Sequence, residues 1–101
     1  MRQAARVFGA LADPTRREIL QILKRGERSA GEIASRFPVS APSISRHLAI
    51  LKGADLILER REGNRIIYRL VPERLAHALG DFLSAVCPTQ IVRRLRKGTS
   101  P

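Results

Sequence analysis

Apolar residues recur at helical spacing through the first half of the chain, give way to branched runs in the middle, and return to helical spacing afterwards. Ala4, Phe8 and Leu11 lie on one stripe and predict a first helix over residues 3–11. Asp13-Pro14 then supplies a capping carboxylate and a proline for the first helical position, a strong start signal. The second helix runs from Pro14 to about Arg25, with Ile19, Leu20, Ile22 and Leu23 on its apolar face. Lys24 and Arg25 suit the negative end of that helix, and Gly26 can close it in a left-handed conformation. Ser29-Ala30-Gly31-Glu32 is a capping box and opens a third, short helix carrying Ile33 and Ala34, which ends before Pro38. Ser40 caps a fourth helix, from about Ala41 to Gly53, and Pro42 fits its first turn because the N–H it lacks would have no partner there. Ile44, Leu48 and Leu51 would face the core.

After Gly53 the period changes. Residues 56–61 and 65–70 read as two strands rich in branched residues, and Glu62-Gly63-Asn64 between them has the chemistry of a hairpin turn. Leu58, Ile66, Tyr68 and Leu70 are expected to point inward. Arg60, Arg61 and Arg65 crowd the tip, where like charges repel, so a phosphate backbone is a reasonable missing partner. Protective edge charge on a solvated hairpin would give the same pattern. Pro72 starts a last long helix with Leu75, Leu79, Phe82 and Val86 at spacings of four, three and four. A compact core does not need that whole stripe, nor all of the one through Phe8 and Leu11. Phe8, Leu11, Leu75, Leu79, Phe82 and Val86 are therefore the expected interface of a two-fold dimer. Cys87-Pro88 marks a break, and residues 91–101 read as a basic, frayed tail beyond a single domain of residues 1–90.

The side of the fourth helix opposite its apolar stripe carries Pro42, Ser43, Arg46 and Ala49, flanked by Ser45 and His47. Short hydroxyls, one guanidinium and one imidazole with little bulk between them suit a helix entering the DNA major groove, where base edges and phosphates are the partners. An amphipathic helix with a merely solvated face is the other reading. Bulk charge favours DNA: 19 Lys and Arg stand against 9 Asp and Glu, a net of +10, and 16 of the 19 are Arg. The candidate DNA-contacting set is Ser40, Pro42, Ser43, Ser45, Arg46 and His47 on the helix, with Arg60, Arg61 and Arg65 on the hairpin.

The apolar fraction of 44% is that of a folded chain, and no apolar run is long enough to span a membrane, so a cytoplasmic, nucleoid-associated protein is expected. The single cysteine excludes an intrachain disulfide and any multi-cysteine zinc module. No glycine-rich phosphate loop is present, and the two histidines, His47 and His77, sit on elements with different jobs, so catalysis is not expected.

The order helix, helix, helix, recognition helix, hairpin wing, terminal helix resembles the ArsR-type family of bacterial winged-helix repressors. LADPTRREILQIL is similar to the family's second-helix signature, SAPSISRHLAILKGADLI to its recognition helix and REGNRIIYRL to its wing, covering residues from about 6 to 83. The resemblance implies a mainly α fold with a β-hairpin, a winged helix-turn-helix dimerised through terminal helices. It also implies a palindromic double-stranded operator, contacts from Ser43, Ser45, Arg46 and His47, and wing arginines on the flanking backbone. Two positions depart from the pattern: Ala41 stands where many members carry glutamine, and Asp55 where glycine usually precedes the wing.

The sensing motifs differ too. Where arsenic-sensing members carry a Cys-x-Cys box, this chain has Ser29 and Gly31, neither able to supply a thiolate. On the last helix His77 and Asp81 are four apart and could meet their copies around zinc in a dimer, but the family's ligand spacing is not reproduced. Cys87 lacks a second thiol for a redox switch, and an intersubunit disulfide is the remaining use beyond packing. The expectation is a repressor of its own operon that needs no metal or cofactor, with an inducing protein or small ligand unspecified. A metal- or thiol-responsive repressor using His77, Asp81 or Cys87 is one alternative, and a nonspecific architectural DNA binder is another.

Overall fold

The computed structural model describes residues 2–98, with side chains from Ala4 to Leu95. Helices α1 (Arg2–Leu11) and α2 (Pro14–Lys24) lead into a two-residue strand β1 (Arg28–Ser29), a short α3 (Ala30–Ala34) and the longer α4 (Ala41–Gly53). Strands β2 (Ile57–Glu62) and β3 (Arg65–Leu70) form the hairpin, and α5 (Pro72–Val86) and α6 (Thr89–Gly98) complete the chain. The helix boundaries follow their caps. Asp13 accepts from the N–H groups of Thr15 at 2.8 Å and Arg16 at 3.3 Å. Ser29 and Glu32 exchange both bonds of the capping box, and Ser40 Oγ accepts from Ser43 N at 3.3 Å. Each satisfies backbone donors that a helix start leaves without partners.

One core joins these elements. Val7 and Ala10 from α1, Ile19, Leu20 and Leu23 from α2, Ile33 from α3, and Ile44, Leu48 and Leu51 from α4 are buried together with Leu56, Ile57 and Tyr68. Ala78 brings α5 onto the same core, and Leu11 and Leu75 pack against it from half-buried positions.

Three features differ from the sequence reading. The sheet has three strands in the order β1-β3-β2, because β1 pairs with β3 through Arg28↔Tyr68 and Ser29↔Ile67. Two residues are too few to show a period, so this strand has no signature of its own. Secondly, Leu58 does not point to the core. Strand β2 begins at Ile57, which is opposite Leu70, and alternation then turns Leu58 outward beside Arg69. Ile57 is buried and Leu58 exposed, a one-residue slip that swaps faces. Ile66, Tyr68 and Leu70 do lie on the inward face. Thirdly, the chain from residue 91 to 98, read as a frayed tail, belongs to α6. Cys87 is extended, and Pro88 interrupts the helix as expected. Ile91, Val92 and Leu95 then recur at helical spacing, and α6 touches α5 beside the Cys87-Pro88 break, with Val92 half-buried and Ile91 and Leu95 exposed. Residues 99–101 lie outside the described part.

Two backbone positions hold the wing's geometry. Gly63 has φ +63° at the first central position of the two-residue turn, the pattern of a type II′ hairpin. Asp55, where the resemblance expects glycine, has φ +61° and is held there by Arg74 of α5. The Arg74 guanidinium donates to the Asp55 carbonyl at 3.2 Å and lies 3.7 Å from its carboxylate. Asp is among the side chains that best tolerate this region, so the substitution keeps the turn and adds a tie to α5.

Candidate nucleic-acid interface

Helix α4 is seated by Ile44, Leu48 and Leu51, all nearly inaccessible. That seat fixes which residues face outward. Ala41, Pro42, Ser45, Arg46, Ala49 and Ile50 are exposed, as is the cap Ser40, and Ser43 is half-buried beside it. Among the described residues the Arg46 guanidinium makes no hydrogen bond or ion pair, and the Ser45 hydroxyl is likewise uncommitted. The outer face of α4 therefore offers one free cation and a hydroxyl beside small, sterically permissive residues, the chemistry that base edges and phosphates accept.

His47 is different. Its side chain is only 19% exposed, and its Nδ1 lies 3.2 Å from Arg16 Nη1 and 4.0 Å from Asp13 Oδ1. Arg16 also donates through Nε to the Ala10 carbonyl at 2.7 Å and through Nη2 to the Gly9 carbonyl at 3.1 Å. These belong to the last turn of α1, whose carbonyls lack the i+4 donors of a continuing helix, and that of Gly9 also accepts from the Ala12 N–H at 3.2 Å. Burial pushes the Asp13 carboxyl up, but bonds from the Arg16 and Thr15 N–H groups, with the nearby His47 and Arg16, bring it below its ordinary range.

The wing is braced by carboxylates. Arg60 donates to Glu27 at 2.7 Å and to Glu62 at 2.8 and 3.1 Å, which holds its guanidinium still more firmly charged. Arg65 reaches the capping-box Glu32 at 3.2 Å. Lys52, in the last turn of α4, bonds Glu59 of β2 and ties the recognition helix to the wing. Of the three arginines at the wing tip, Arg61 alone forms no ion pair among the described residues. The expected cluster of mutually repelling arginines is thus largely compensated. Glu27, Glu32 and Glu62 were not singled out as its partners because Glu27 and Glu32 lie more than 25 residues from the wing and meet it through β1. Arg36, exposed in the turn before α4, is a further cation that the wheel of α4 leaves out.

On the other side of the molecule the Phe8 and Phe82 rings meet edge to face with centroids 5.1 Å apart. Leu79 is half-buried, while Phe82 is 50% and Val86 64% exposed. Leu11 and Leu75 are shared with the core. An open groove of about 910 Å³ runs beside Phe82, lined by Ala4, His77, Ala78, Asp81 and Ala85 among others.

Known proteins agree with this arrangement. The family described as a helix-turn-helix domain matches residues 11–60. The transcriptional repressor SdpR of Bacillus subtilis is 55% identical over 80 residues, 79% of this chain and 89% of SdpR. The chain belongs to the ArsR family of winged helix-turn-helix transcriptional regulators. Among solved ArsR-family structures, an ArsR-like transcriptional regulator from Rhodococcus has a TM-score of 0.74 at 36% identity, covering 94% of this chain and 88% of its own. A homodimeric winged helix-turn-helix DNA-binding domain from Mycobacterium bovis has a TM-score of 0.68 at 38% identity, covering 82% of this chain and 79% of its own.

Within this ArsR-family fold the candidate sensing residues lie apart from the helix-turn-helix. His77 Nε2 and Asp81 Oδ2 are 3.6 Å apart on the open surface of α5. Among the described residues no three His, Cys, Asp or Glu side chains converge on one point. Cys87 is half-buried between α5 and α6.

Proposed function

We propose that this chain is a homodimeric, sequence-specific repressor acting in the cytoplasm on a two-fold symmetric operator, including that of its own operon. The observation that carries this reading is α4 itself, whose buried stripe leaves Pro42, Ser45 and Arg46 outward and uncommitted. Ser40, Ser43 and His47 flank that strip, and Arg60, Arg61 and Arg65 would lie along the phosphate backbone beside it. The net charge of +10 supplies the electrostatic attraction that any such complex needs. Phe8, Leu11, Leu75, Leu79, Phe82 and Val86 form the proposed subunit interface. Exposed aromatic and aliphatic area on α5, together with the homodimeric Mycobacterium bovis relative, supports it.

Footprinting the purified protein on the DNA upstream of its own gene, with and without zinc, tests the reading. The expected result is a discrete, two-fold symmetric protected site that zinc leaves unchanged. Release by zinc would return His77 and Asp81 to the account as ligands, and protection without sequence preference would make the protein an architectural binder. Phe82→Glu should halve the mass seen by light scattering, and an unchanged mass would remove α5 from the interface.

A further inference from the structure

Arg16 has three acceptors at once: the Gly9 and Ala10 carbonyls that end α1, and Nδ1 of His47 on the recognition helix. A guanidinium has donors only, so in the 3.2 Å contact Nδ1 must be the acceptor. The competing arrangement, in which Nδ1–H donates to Asp13, would span 4.0 Å, beyond hydrogen-bond range. An imidazole whose Nδ1 accepts carries its proton on Nε2. Nε2 has no partner among the described residues, and none of their side-chain nitrogens or oxygens is both buried and unpartnered, so Nε2–H reaches the surface.

We infer that Arg16 is a positioning residue that fixes His47 as its Nε2–H tautomer, so that the recognition helix presents a neutral donor aimed at an acceptor on DNA. The acceptors that fit are a phosphodiester oxygen or the O6 and N7 of guanine. Because the same guanidinium closes α1, the orientation of His47 is tied to the helix whose Phe8 ring packs on Phe82 of α5. The inference rests on the operator-binding reading above and adds a residue that the outer face of α4 does not contain.

Long-range nitrogen–proton NMR of His47, at a pH where the ring is neutral, reads the tautomer in the intact protein. The expected spectrum places the proton on Nε2 in the wild type and mixes the two forms in Arg16→Met. Arg16→Lys keeps a cation for the α1 carbonyls but not the second donor arm, so it should fold and show the same mixing. On operator DNA, Arg16→Met and His47→Ala should each weaken binding by roughly threefold to tenfold, the worth of about one hydrogen bond. The double variant should be no worse than either alone, because both changes remove one contact. A wild-type proton on Nδ1, or losses that multiply in the double variant, would overturn the inference. A protein that protects no DNA would instead overturn the repressor reading, while the tautomer would still report the Arg16 bond.

Discussion

The recognition helix and the wing both carry the chain's candidate DNA-binding groups, yet they are prepared in opposite ways. On α4 the apolar face is locked into the core and the polar face is left bare, with Arg46 free of any partner among the described residues. On the wing, Arg60 and Arg65 are already engaged by Glu27, Glu62 and Glu32, and of the three tip arginines Arg61 is the one without an ion pair among the described residues. A phosphate approaching Arg60 must compete with two carboxylates, whereas one approaching Arg46 competes only with water. Charge read from composition therefore overstates the charge available at the wing and represents α4 fairly. The braces also hold the hairpin against β1 and α3, which gives the wing a fixed place relative to the helix it flanks.

Breaking the seat of α4 should have the largest effect. Leu51→Ala removes a fully buried side chain and should cost about 2–5 kcal/mol of stability in chemical denaturation. A loss below half a kcal/mol would mean that α4 is not held by its apolar stripe. Ser40→Ala takes away the cap of the same helix and should cost about 1 kcal/mol, checked in the same experiment. On the wing the sharper comparison is electrostatic. Arg61→Ala should reduce the salt slope of DNA binding by about 0.9, the yield of one phosphate contact. Arg60→Ala should reduce it by less, because its charge is shared with Glu27 and Glu62. Equal reductions would show that the carboxylates yield freely to phosphate.

The smallest effect concerns acid. Hydrogen bonds from Ser29, chiefly its backbone N–H, lower the Glu32 carboxyl below its ordinary value of 4.5, and Arg65 adds to this. A carboxyl lowered in the folded state stabilises it above the ordinary value, and that contribution is lost as pH falls through the lowered one. Glu32→Gln should therefore flatten the part of the melting-temperature decline that lies below about pH 4.5. An identical decline in the variant would remove Glu32 from the acid response.

Much of this was legible in the sequence because local chemistry sets it. Asp13-Pro14, the Ser29–Glu32 box and Ser40 each satisfy helix donors within three residues, so α2, α3 and α4 begin where their caps stand. The hairpin turn was legible for the same reason. What escaped depends on tertiary pairing. β1 is too short to carry a period, and its contact with β3 brings Glu27 and Glu32 to the wing. Leu58 fell on the wrong face because Leu56, Ile57 and Leu58 are all apolar, so their order does not fix the register. Helix α6 was obscured by its four basic residues, which mask the spacing of Ile91, Val92 and Leu95. At the candidate site, Ser45 and Arg46 were identified from the wheel of α4. The role of Arg16 could not be, since its partner His47 lies 31 residues away and the α1 carbonyls have no side-chain signature.

The central claim is that α4 reads sequence. The direct test is the affinity of Arg46→Ala for the footprinted operator and for a random duplex, measured at one salt concentration. The account predicts a loss of about 1–3 kcal/mol on the operator, roughly fivefold to 150-fold, and a much smaller loss on the random duplex. Equal losses on both would contradict it, and Arg46 would then be a phosphate contact with no part in recognition.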